Sequence, residues 1–187
     1  MTEWTVDDLG DLPEGFRYEL LNGRLITLNH TPFHQDVAGQ IWNALESGCP
    51  DGWLVGSRQS ISVDSRNELC PCVVVIGAEF FDTSPIPMSG VHFAVDIVQP
   101  TDSPRTTADN EKAYAMARIV RRWIINPLAE QVELTEVILN PTTSLYEAGE
   151  TTTGVFTAEQ PFPVSIDLPA LSTRYAKLRT LVRHARS

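Results

Sequence analysis

VHFAVDIV, residues 91–98, decides the fold, because it is a short apolar run with one acidic residue, Asp96, set inside it. CVVVI, residues 72–76, reads the same way. Both stretches are brief, rich in β-branched residues and almost free of charge, the pattern of strands covered on both faces. Such strands need helices or a second layer over them. The expected fold class is therefore α/β (α+β). Side chains alternate along a strand, so Asp96 shares a face with Ala94 and Val98, and Val95 and Ile97 take the other.

Working outward, Asn22-Gly23 between Phe16–Leu21 and Arg24–Leu28 marks a hairpin, since both turn positions require positive φ. From Pro32 to Ser47, Val37, Ile41 and Leu45 recur at helical spacing, and Gly48 supplies a stop. That helix carries His34 in its first turn. Thr5 and Asp8 open a short helix that Pro13-Glu14-Gly15 closes. Residues 53–63 read as one strand, followed by a turn at 64–67. A helix over 106–118 has Ala113, Met116, Ala117 and Val120 as its apolar stripe. Strands are expected at 121–125, 131–139, 144–146, 154–156 and 163–166. The last element, a basic amphipathic helix at about 168–185, places Leu171, Tyr175, Leu178 and Val182 on its docked face.

A chain of 187 residues suits one domain, residues 1–187, with its own core. No apolar run reaches the roughly 18 residues of a membrane span, and the start lacks a basic region followed by an apolar one, so a cytoplasmic location is expected. Three cysteines, Cys49, Cys70 and Cys72, fit reduced thiols better than a disulfide framework. Net charge is −10, which opposes binding to phosphates. The five basic residues after Ala170 (Arg174, Lys177, Arg179, Arg183, Arg186) leave nine Lys and Arg against 24 Asp and Glu in the rest. Nucleic acid is thus disfavoured as a partner, although Arg118, Arg121, Arg122 and the last helix could form a local basic groove.

A carboxylate inside a buried strand costs several kcal/mol unless it is paired, hydrogen-bonded or metal-bound. Asp96 is either a satisfied structural acid or part of a site. The order of motifs bears on the choice: RYELLNG (17–23), a Pro-x-His step into a helix (32–34), PCVVV (71–75), VDIVQPT (95–101), a helix with Tyr114, and RRWIINP (121–127). Together they resemble the Uma-type family of restriction endonucleases in the PD-(D/E)xK nuclease superfamily, over roughly residues 5–172. The resemblance implies a restriction-endonuclease-like mixed sheet flanked by helices and a magnesium-dependent phosphodiesterase centre. In such a centre an Asp and a Glu from neighbouring strands hold the cation, and a Lys helps activate water.

All three elements of the family pattern are altered. The Asp position is Cys72, whose thiol is a poor ligand for a hard cation. At the Glu position Asp96 keeps the charge but withdraws it by one methylene, about 1.5 Å. The Lys position, four residues before Tyr114, is Asn110. The nearest Lys is Lys112, about 200° round the helix from it. Glu19 and His34 match family positions; each is either a cleft residue (accessory acid, substrate contact) or a group with a purely structural role. Asp109 and Lys112 are spaced for a surface ion pair. Cys70 and Cys72 lack partners for a soft-metal chelate, and Cys72 as a nucleophile would need a base such as His34.

The expected site thus has Asp96, Cys72 and Lys112 as candidate catalytic residues and His34, Glu19 and Asn110 as candidate substrate contacts. No metal ligand set and no cofactor is expected. The reading is a degenerate nuclease-fold protein whose cleft serves a small molecule or protein partner, with a homodimer as one form of partnership. The alternative is an active magnesium- or manganese-dependent endonuclease with a reduced ligand set.

Overall fold

The computed structural model describes residues 3–13, 16–28 and 30–185. In chain order the elements are β1 (Tyr18–Leu21), β2 (Arg24–Thr27), α1 (Pro32–Glu46), β3 (Trp53–Gly56), β4 (Ile61–Asp64), β5 (Asn67–Leu69), β6 (Val73–Gly77), β7 (Ile86–Pro87) and β8 (Val91–Ile97). They continue with α2 (Pro104–Met116), β9 (Arg121–Asn126), β10 (Glu133–Leu139), β11 (Tyr146–Thr152), β12 (Val155–Ala158), β13 (Val164–Asp167) and α3 (Leu168–Ala185). A short 3-10 helix, Val6–Asp11, precedes them, and the Thr5 amide donates to Asp8 Oδ2 at 2.8 Å. Glu14 and Gly15 of its expected stop lie outside the described residues, as does Arg186 of the basic C-terminal run.

The central layer is a six-stranded sheet in the order β11-β10-β9-β8-β6-β3. It is mixed: β8 and β9 run parallel, joined by α2, and its other neighbours are antiparallel. A second sheet has the order β2-β1-β5-β4-β7, and β12 pairs with β13. The two apolar runs fix this arrangement. Val73, Val75, Phe93, Val95 and Ile97 pack with α1 and α3 residues in one core, whereas Val74, Ile76 and Ala94 pack with Leu21, Ile61, Ala113 and Tyr114 in another. Strands that bury both faces are what the sequence pattern implies.

Local signals explain the flanking elements. Asn22 and Gly23 have φ of 50° and 73°, the positive values that tighten the β1–β2 hairpin. Thr31 caps α1, its side chain accepting from the His34 amide at 3.2 Å, and Pro32 opens the first turn. Ser103 does the same for α2.

Several expectations need correcting. The 53–63 run is two strands, because Arg58 adopts φ 53° and turns the chain between them. β3 then joins the central sheet and β4 the second one. Cys72 immediately precedes β6 rather than beginning it. The buried face of α2 is Ala113 and Tyr114, followed by the buried C-cap Ala117, whereas Met116 and, beyond the helix, Val120 are exposed. β11 runs over Tyr146–Thr152 and meets the expected 144–146 only at Tyr146. On α3 Leu168, Leu171 and Tyr175 are buried and Leu178 and Val182 are exposed, so the helix makes its apolar contact with the core through its first half. Among the described residues no helix is long and apolar enough to cross a membrane.

Candidate active site

Asp96 is the next-to-last residue of β8, at the point where the chain leaves the sheet for α2. In the parallel pairing Ala94 lies beside Arg122 and Asp96 beside Ile124, so Arg122 is the diagonal neighbour of Asp96 on one face. The Arg122 guanidinium reaches along that face and its NH2 group donates to Asp96 Oδ2 at 2.6 Å. Tyr114, projecting from α2, donates its hydroxyl to Asp96 Oδ1 at 2.9 Å. Both carboxylate oxygens therefore have a donor. Arg122 is buried, stacked 3.6 Å over the Tyr114 ring and 5.0 Å from the centre of the Tyr146 ring. The Arg122 side chain is 3% exposed and that of Asp96 23%, so the pair lies at the floor of a recess.

That recess is a cavity of about 250 Å³ lined by Glu19, His30, Cys70, Cys72, Asp96, Asn110 and Arg122 among others. Glu19 comes from β1, is buried, and accepts the Cys70 amide at 2.9 Å. Burial first, and the Asp96 charge second, push the Glu19 carboxyl up to about 8, so it is mainly protonated at neutral pH. Asn110 is turned toward the cleft, with its Oδ1 3.4 Å from the Arg122 NH2 group. Lys112 is exposed and is not among the lining residues. The helical offset decides this: α2 presents Asn110, Ala113 and Tyr114 to the sheets and turns Lys112 to solvent. Asp109, expected beside Lys112, pairs instead with Arg24 at 2.7 Å.

A second cavity, about 240 Å³, lies on the α1 side and is lined by His34, Trp42, Ser57, Arg58 and Cys72 among others. Cys72 borders both spaces. Its Sγ is 3.4 Å from His34 Nε2, and the His34 ring stacks on that of His30 with centroids 4.3 Å apart. Burial raises the Cys72 thiol well above its ordinary range, and the Asp96 charge adds to this. Burial also lowers His34 to about 4, helped by the neighbouring His30. Thiol and imidazole are both neutral at pH 7, which is not the charge state of an activated cysteine nucleophile.

The structure thus brings Glu19, Cys72, Asp96 and Asn110 to one cleft, places His34 behind Cys72, and leaves Lys112 outside. Sequence reading missed Arg122 as the partner of Asp96. The signal was present: residues 121–125 alternate as a strand, which puts Arg122 on the face of Ile124, and a buried Arg needs an acid. His30 was missed as well, although it lies four residues before His34.

None of the curated proteins matches the chain. Among solved structures, it is similar to a putative nuclease belonging to DUF820 from Anabaena variabilis ATCC 29413, with a TM-score of 0.69 and 14% identity over 90% of this chain and 97% of that one. At that identity the likeness concerns the fold. The family model Uma2, described as "Putative restriction endonuclease", matches residues 6–170, which include the hairpin with Glu19, both central strands, α2 and Arg122. By that match, over most of its length, the chain belongs to the Uma2 family of restriction-endonuclease-like proteins.

Proposed function

We propose that this member of the family does not cut nucleic acid by the two-carboxylate, magnesium-dependent route, and that its cleft serves a small molecule or a protein partner instead. The observation that carries this reading is the pairing of Asp96. A hard cation needs free, charged oxygen donors in near-octahedral arrangement. Here one Asp96 oxygen is held by Tyr114 and the other by a buried guanidinium. The second carboxylate of the cleft, Glu19, is held mainly protonated at neutral pH, and the remaining position is the Cys72 thiol. The residues present do not fit magnesium.

The charge distribution supports the same reading. Arg121 pairs with Glu136 at 2.6 Å and Arg174 with Asp36 at 2.8 Å, so these cations are committed within an acidic chain of net charge −10. The alternative, an endonuclease using Asp96, Glu19 and Lys112, would need Lys112 in the cleft, where it does not lie.

Titration of the protein with Mg²⁺ and Mn²⁺, followed by calorimetry and thermal unfolding, tests the reading. No saturable binding is expected, and plasmid DNA incubated with Mn²⁺ should remain uncut. Metal-dependent nicking that disappears in Asp96→Ala would overturn it.

A further inference from the structure

We infer that His30, His34 and Cys72 form a three-ligand site for a borderline-soft divalent metal ion, zinc in the first instance, at the junction of the two cavities. The inference goes beyond the proposed function and stands on its own geometry.

One ring nitrogen of each histidine and the Cys72 sulfur all lie within 4.8 Å of one another. Zinc bonds of about 2.0–2.1 Å to nitrogen and 2.3 Å to sulfur, in a tetrahedron, set donor atoms about 3.3–3.6 Å apart. The His34–Cys72 pair is already at that spacing, 3.4 Å. His30, in the segment between β2 and α1, has to close by at most about 1.5 Å and to turn out of its stack on His34, whose ring lies 18° from parallel to it, to complete the set. Its Nδ1 is buried with no hydrogen-bond partner, so one of its two donor atoms is unspent.

Donor type points the same way. Two imidazoles and one thiolate suit zinc and other late first-row ions and reject magnesium and calcium. Three protein ligands leave the fourth position open, as in zinc sites that bind water or substrate. Space for that fourth ligand exists, since His30 lines the first cavity, His34 the second and Cys72 both. Arg58 lines the second cavity beside His34. Its charge opposes the ion but matches an anionic fourth ligand such as a carboxylate. On binding, the Cys72 S–H bond breaks, a zinc–sulfur bond forms and the proton leaves to solvent.

The test uses the full chain carrying Cys49→Ser and Cys70→Ser, so that Cys72 is the sole thiol. Co²⁺ is titrated by absorption, and Zn²⁺ by competition against it. The expected result is one equivalent of Co²⁺ with a thiolate-to-cobalt charge-transfer band, displaced by Zn²⁺. Adding Cys72→Ser should abolish the band. His30→Ala, at a half-buried position, should weaken zinc affinity by roughly a hundredfold or more, exceeding the 10–100-fold lost when only an outer-shell partner is removed. Circular dichroism shows that each variant is folded. Absence of stoichiometric binding by the folded protein overturns the inference, as does binding that persists through both Cys72→Ser and His30→Ala. Magnesium titration of the same samples reads the proposed function separately, so either reading can fail without the other.

Discussion

Arg122 and Asp96, 26 residues apart in sequence, meet at 2.6 Å across the one parallel strand pair of the central sheet. A buried guanidinium there does for the carboxylate what a cation does in a metal-dependent nuclease. Asp96 is thereby satisfied without any ligand from solution, which accounts for an acid lodged in an otherwise apolar strand.

Breaking that pair from one side should be costly. Arg122→Met leaves Asp96 with only Tyr114 and removes the stacking on two tyrosine rings, so a loss of about 3–5 kcal/mol is expected in urea unfolding. Asp96→Asn combined with Arg122→Met should recover a substantial part, because the uncompensated charge is gone. If the double variant is as unstable as the sum of the singles, the pair is not coupled as described.

Restoring an acid at position 72 should not be enough to restore metal binding. With Cys72→Asp alone, the Arg122 guanidinium still occupies Asp96, and neither Mn²⁺ binding nor plasmid nicking is expected. Cys72→Asp with Arg122→Gln frees both carboxylates and should gain measurable Mn²⁺ affinity. Nicking by the single variant would show that Arg122 is no obstacle.

Glu19 predicts a pH dependence on the alkaline side. Its carboxyl rises from about 4.5 unfolded to about 8 folded, so the folded state holds the proton more tightly. The associated stability is complete below pH 4.5, falls as pH rises toward 8, and is level beyond that, with a slope of at most about 1.4 kcal/mol per pH unit. Glu19→Gln, which keeps an oxygen for the Cys70 amide, should flatten this slope and be the more stable protein at pH 9. Parallel curves for the two proteins would contradict the assignment.

The cap of α1 should be worth measuring too. Thr31→Ala removes the hydrogen bond to the His34 amide and should cost about 1 kcal/mol. The effect is expected to reach the cleft, since the lost bond holds the residue beside Cys72. An exchange experiment would show it as faster amide exchange at His34 while residues of β8 stay protected.

What the sequence makes legible here follows the range of the interaction involved. The β1–β2 hairpin and α1 depend on neighbours a few residues apart, Asn22 with Gly23 and Thr31 with Pro32, and both stand where expected. β6 and β8 are legible because a strand buried on two faces is nearly all apolar, with Asp96 the one charged exception. The division of residues 53–63 is not, because Arg58 takes a left-handed conformation that Gly or Asn would normally announce. Leu178 and Val182 carry helical spacing, yet whether that face is covered depends on where the rest of the chain ends up. In the site, Glu19, Cys72, Asp96 and Asn110 could be placed from motif order. Strand alternation puts Arg122 on the face of Ile124, but its role comes from Asp96 on the neighbouring strand, a pairing that motif order does not give.

Cys72 borders two cavities at once, so a change of this one side chain is felt in both. A smaller residue there would enlarge both recesses, and a bulkier one would narrow both. The position at which this chain departs from the nuclease pattern is thus also one that shapes both recesses at once.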